Sequence, residues 1–118
     1  MDPNGPSLPK LIIDTGHALY ELAVDDHALV LGRDPNCDVP VLDERVWQFH
    51  ACIVREGGRF VLADDSPAGT YVSARDAKPQ YIQREEIPLE GTGLIRLGDP
   101  DDLRDIGNIL RYTIIHAL

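Results

Sequence analysis

A chain of 118 residues is long enough for one domain with its own core, and 43% hydrophobic with 26% charged residues is ordinary globular composition. The formal net charge of −9 disfavours nucleic-acid phosphates and anionic membranes as partners of the general surface, so any anion site has to be a local basic spot. No apolar run approaches the roughly 18 residues of a membrane span, and residues 1–6 lack the basic and apolar regions of a signal peptide. With two cysteines and no export signal, reduced thiols in a cytoplasm are expected.

Residues 1–6 read as a flexible leader, and 7–118 as the domain. Residues 7–14 and 18–22, broken at Thr15-Gly16, predict a hairpin. Residues 28–31 form the third strand, after a turn at Asp25-Asp26. A polar loop with Pro35 and Asn36 leads to a short fourth strand at 39–42, where Pro40 implies an edge or an irregular strand. Strands at 50–55 and 59–63 flank Gly57-Gly58, a hairpin turn in which glycine supplies positive φ. A turn-rich loop over 64–69 follows, then strands at 71–73, 81–83, 86–89, 94–98 and 109–115. Residues 99–107 are an acidic insertion, either without structure or a helical turn. No apolar period of 3.6 persists, and about ten or eleven short, mostly antiparallel strands predict an all-β sandwich.

Three signals stand in order along this scaffold: Gly32-Arg33 after a strand, His50 opening a strand, and Gly69-Thr70 closing a loop. Together they resemble the forkhead-associated (FHA) domain, over nearly the whole chain. The resemblance implies an FHA-like β-sandwich that reads phosphothreonine peptides with loops at one end. Arg33 then matches the family's phosphate-binding arginine, and a guanidinium suits phosphate because its fork makes two parallel hydrogen bonds. The competing reading pairs Arg33 with Asp34, Asp38 or Asp43. Gly32, His50, Gly69 and Thr70 match structural positions of the site, with His50 bracing loops rather than catalysing. Ser66 matches a small polar residue before that glycine.

The departures bear on function. The family's phosphate-binding serine falls at Trp47, the basic residue after it at Gln48, and the peptide-holding asparagine at Ala68. Losing a hydroxyl–phosphate and an amide–backbone bond costs roughly 3–4 kcal/mol, a few hundredfold in affinity. Arg45, Arg75 and Lys78 are cations on loops expected nearby, either solvated or supplying replacement charge. Trp47 is an apolar anchor for a partner if exposed, or core if turned inward; strand alternation, with His50 and Cys52 on one face and Phe49, Ala51 and Ile53 on the other, favours exposure slightly.

Catalysis is not expected. Cys37 or Cys52 with His50 is the obvious nucleophile–base pair, but nothing in the sequence orients the base, and Cys52 reads as a small buried hydrophobe. The four histidines are scattered, so no metal or cofactor is implied. The expected function is a protein-interaction module of FHA type. It is phospho-independent or weakly phosphate-dependent, with Arg33, Trp47, Gln48, Ala68 and Arg45 as partner-contact residues. It would be a regulatory part of a larger signalling protein. The alternative is a working phosphothreonine reader built on Arg33 with substitute loop contacts. Partners are then a protein or phosphopeptide, a second copy, or a fused domain, and neither nucleic acid nor membrane.

Overall fold

The short alternating runs of the sequence fold as eleven strands in a computed structural model that describes residues 9–23, 26–98 and 107–116. The expected leader, Asp25, and the acidic insertion apart from Gly107 lie outside the described residues. In chain order the strands are β1 (Lys10–Asp14), β2 (Leu19–Leu22), β3 (Ala28–Gly32), β4 (Val39–Pro40), β5 (Ala51–Glu56), β6 (Arg59–Asp64), β7 (Thr70–Ala74), β8 (Gln80–Ile82), β9 (Glu86–Leu89), β10 (Thr92–Leu97) and β11 (Ile109–Ile115). One sheet has the order β2-β1-β11-β10-β7-β8, the other β4-β3-β5-β6-β9. All pairings are antiparallel except β3 with β4. The result is an all-β sandwich, and no described segment is a helix long and apolar enough to cross a membrane.

Alternation builds the core. Leu11 and Ile13, Ile95 and Leu97, and Leu110 and Tyr112 point inward from the first sheet. Leu29 and Leu31, Ala51 and Ile53, and Phe60 and Leu62 meet them from the second. Each large side chain so buried contributes roughly 1.5–3 kcal/mol. Tyr112 keeps its hydroxyl satisfied by donating to the Glu90 carbonyl at 3.1 Å. Arg55 of β5 staples the sheets together: its guanidinium donates to the carbonyls of Pro9 and, at 3.3 Å, Ala23, while packing over the Phe60 ring.

The fourth strand is shorter than its apolar run suggested. Only Val39 and Pro40 count as strand, at a sheet edge; Val41 N–H still donates to the Gly32 carbonyl at 2.8 Å, and Leu42 stands exposed beyond it. Pro40 has no N–H to offer another strand, which blunts that edge. The 33–38, 41–50, 65–69 and 83–85 loops emerge at one end of the sandwich. The 75–79 loop, with Arg75 and Lys78, lies at the other, because the chain crosses the full length of β7 first. These two cations are therefore not neighbours of Arg33, contrary to the expectation that treated their loop as adjacent.

Candidate functional site

The loop end of the sandwich is held by its backbone. Arg33 N–H donates to the Trp47 carbonyl at 3.0 Å, Asp34 N–H to that of Gln48 at 3.1 Å, and His50 N–H to that of Leu31 at 2.9 Å. Gly32 makes this seam possible: a Cβ there would lie 2.2 Å from the Gln48 oxygen. Within the loop, Val46 and His50 are both buried, at 1% and 0% exposure. Between these anchors Trp47, Gln48 and Phe49 all stand out in solvent, Trp47 at 52% and Phe49 at 49% exposure. Strand phase fails at this point. Phe49 alternates with Ala51 and Ile53 in sequence, yet they are core and it is exposed; His50 is fully buried and Cys52 only half-buried. The loop, not the strand, sets these orientations.

His50 joins the 41–50 loop to the 65–69 loop. Trp47 N–H donates to His50 Nδ1 at 3.0 Å, and His50 Nε2 lies 2.8 Å from the Gly69 carbonyl, which can only accept. The partners thus assign the neutral ring with its proton on Nε2. Burial pushes the His50 pKa below the ordinary imidazole range, while the Gly69 carbonyl and the Asp64 carboxylate, 3.7 Å from Nε2, pull the other way.

Asp64 is the residue that sequence reading passed over as the start of a loop. It ends β6 in the inward phase of Phe60 and Leu62 and is 5% exposed. A buried carboxylate needs donors, and four are aimed at it: Ser66 N–H at 3.1 Å, Ser66 Oγ at 2.8 Å, Thr70 Oγ1 at 2.7 Å and Arg84 N–H at 2.9 Å. Ser66 Oγ in turn accepts from Gly69 N–H at 2.8 Å. Gly69 has φ of +85°, and a Cβ there would meet the Tyr81 ring at 2.3 Å. Tyr81 crosses from β8 to donate to the Ala68 carbonyl at 3.0 Å, and Gln83 donates to that of Pro67. The 65–69 loop is therefore held from outside, with Ala68 exposed at its tip.

The acids expected to compete for Arg33 are otherwise occupied. Asp34 accepts from Asn36 N–H and Asp38 from Val30 N–H, both at 2.7 Å. Asp43 grips Arg45 with both oxygens, at 2.8 Å to Nε and 2.7 Å to Nη2, which holds the Asp43 carboxyl below its usual range. Arg33 is exposed and, among the described residues, its guanidinium makes no ion pair or hydrogen bond. Arg45, expected among the partner contacts, is instead a largely buried brace of its own loop, with 14% side-chain exposure. Arg84 is a further exposed cation at this end, unnoticed in the sequence because its loop has no signature.

Neither thiol is set up as a nucleophile. Burial first, then the Asp34 carboxylate, pushes the Cys37 pKa up; burial first, then Asp38, does the same for Cys52. Cys52, expected in the core, is half-buried.

A family model described as the FHA domain matches residues 29–98. No curated protein sequence matches the chain. Among solved structures, the first FHA domain of Mycobacterium tuberculosis Rv1747 is similar with a TM-score of 0.70 at 22% identity, over 92% of this chain and 98% of that one. The N-terminal FHA domain of S. cerevisiae Rad53p, solved with a phosphothreonine peptide, gives a TM-score of 0.66 at 22% identity, over 93% and 94% of the two chains. The FHA domain of an Arabidopsis thaliana protein gives a TM-score of 0.70 at 14% identity, over 100% and 95%.

Proposed function

The chain belongs to the FHA domain family, and on that basis we propose that it is a non-catalytic protein-interaction module whose binding is phospho-independent or only weakly phosphate-dependent. One observation carries this: Trp47 and Phe49 stand half-exposed on a loop whose backbone is tied down on both sides. A rigid loop that holds two aromatic rings in water presents an anchor at little ordering cost on binding. The family's phosphate ligand position has become that anchor, and the position that would hold a bound peptide's backbone is Ala68. Partner contacts are assigned to Arg33, Trp47, Gln48 and the Ala68 tip, with Gly32, His50, Gly69 and Thr70 supporting them. The partner is a protein segment, a fused domain or a second copy, and the setting is a larger cytoplasmic signalling protein that the module regulates.

The second reading, a phosphothreonine reader, has its own support in the Arg33 guanidinium, which the flanking acids leave free. An oriented phosphothreonine peptide library, with unphosphorylated and phosphoserine controls, separates the two when titrated against the wild type and Arg33→Ala. The proposal expects no phosphate-dependent binding tighter than the millimolar range. Micromolar, phosphate-dependent binding lost in Arg33→Ala would overturn it.

A further inference from the structure

We propose that Arg33 and the 47–49 loop together recognise an unphosphorylated partner segment in which a carboxylate side chain neighbours a bulky apolar one. This rests on the phospho-independent reading above and names the ligand chemistry for it.

The charge of the site selects the anion. Arg33 offers one guanidinium, whose fork matches the two oxygens of a carboxylate. A phosphoryl group brings a third oxygen and a charge of about −1.5 to −2 at neutral pH. The residue at the family's serine position, Trp47, has one N–H and no hydroxyl for that oxygen. The surrounding field is also unfavourable to a second charge. The loops 33–50, 65–69 and 83–85 carry six acids (Asp34, Asp38, Asp43, Glu44, Asp65, Glu85) against three arginines (Arg33, Arg45, Arg84), a balance of 3 − 6 = −3. Arg45 is already neutralised by Asp43. With Arg45 paired, a monoanion meets Arg33 and, more distantly in the loop cluster, Arg84, whereas a dianion meets the same two cations and twice the repulsion from the acids.

The apolar half of the ligand follows from the seam. Arg33 N–H bonds to the Trp47 carbonyl, so the guanidinium and the indole spring from adjacent backbone. Trp47 and Phe49 are the exposed aromatic surface of that loop. An apolar partner side chain laid on them excludes water from the Arg33–carboxylate pair and strengthens it. The backbone beneath both halves is fixed before binding, because Trp47 N–H, Trp47 O and Gln48 O are each already hydrogen-bonded.

The test is a fluorescence-polarisation screen of the folded chain against unphosphorylated dodecapeptides with a fixed central Glu or Asp and randomised flanks. The tightest binder is then remade with the acid replaced by its amide and by phosphothreonine. The expected result is enrichment of Leu, Ile, Phe or Trp beside the acid and a loss of about tenfold on amidation. The phosphothreonine form should bind no tighter than the acidic one. Arg33→Ala and Trp47→Ala should each weaken binding about tenfold, and Arg33→Lys several-fold, since an ammonium lacks the fork. Arg84→Ala removes the same charge from the same end and should change affinity less than about threefold. The three side chains, Arg33, Trp47 and Arg84, are exposed, and unchanged thermal unfolding verifies the fold of each variant. Tighter phosphothreonine binding overturns both this inference and the reading it rests on. Loss in Trp47→Ala with no effect of Arg33→Ala, equal effects of Arg33→Ala and Arg84→Ala, or no binder at millimolar peptide overturns this inference alone.

Discussion

The Trp47 N–H donates to His50 Nδ1 at 3.0 Å, and the opposite nitrogen of the same ring reaches the Gly69 carbonyl at 2.8 Å. One buried imidazole therefore ties the exposed aromatic loop to the loop whose tip is Ala68. It can do so only when neutral, because a proton on Nδ1 would face the Trp47 N–H instead of accepting from it.

This geometry predicts a pH dependence with a definite sign. The His50 pKa is lowered from an ordinary 6.5 by burial, so below that value the unfolded chain binds more protons than the folded one. The stabilisation is fully present above pH 6.5 and is lost as pH falls from there towards the folded value. Asp43 acts in a lower window: its pKa is lowered from 3.8 chiefly by the Arg45 hydrogen bond, so its contribution is present above 3.8 and is lost below. Denaturant unfolding at pH steps from 4 to 8 measures the first window. His50→Gln, which can still donate to the Gly69 carbonyl but does not titrate, should be less stable at neutral pH and should flatten the slope below 6.5. An unchanged slope would show that His50 is not the group responsible.

Much of the sandwich was legible because its strands alternate. Leu29 and Leu31, or Ile95 and Leu97, declare a core face at period two, and Gly57-Gly58 marks a hairpin. What escaped were relations that alternation does not encode. Asp64 looked like a turn residue because aspartate usually is one; its phase with Phe60 and Leu62, with Ser66 and Thr70 close behind as donors, was the available signal. Arg45 looked like a solvated cation because an exposed loop arginine is the ordinary case, and nothing in the sequence says that Asp43, with only Glu44 between them, grips it. Arg75 and Lys78 looked close to the site because adjacency in sequence conceals which end of a strand a loop leaves from.

Asp64 is expected to dominate the stability of the site. Asp64→Ala leaves Ser66, Thr70 and Arg84 donors without their shared acceptor in a buried setting, at a cost of about 3–5 kcal/mol. Asp64→Asn keeps one oxygen but turns an NH2 towards these donors, and should cost nearly as much. Urea unfolding of both variants reads this; a loss below about 1 kcal/mol would show the network to be dispensable.

Arg45→Ala separates bracing from recognition. It breaks the two-pronged contact with Asp43 in a loop that also carries Trp47. A stability loss of about 1–2 kcal/mol is expected, and less at high salt. Direct ligand contact is not expected, so affinity for any ligand bound through Arg33 should change less than about threefold at temperatures where the variant stays folded. A tenfold affinity loss without destabilisation would return Arg45 to the contact set.

Gly32→Ala tests the seam itself. The added Cβ would sit 2.2 Å from the Gln48 carbonyl oxygen and 3.0 Å from Cys37 Sγ, and the nearer of these is backbone that cannot swing aside. Relieving it means parting Arg33 and Asp34 from the carbonyls of Trp47 and Gln48, two hydrogen bonds that also fix the exposed triplet. Overpacking of this kind costs about 1–3 kcal/mol. The larger consequence is for binding, since a loosened 47–49 loop must be ordered again each time a partner docks. Amide hydrogen exchange at Arg33 and Asp34 should therefore rise in Gly32→Ala, together with the ligand dissociation rate. Unchanged protection at both amides would mean that the loops do not depend on this contact, and the rigidity ascribed to Trp47 would have to come from His50 alone.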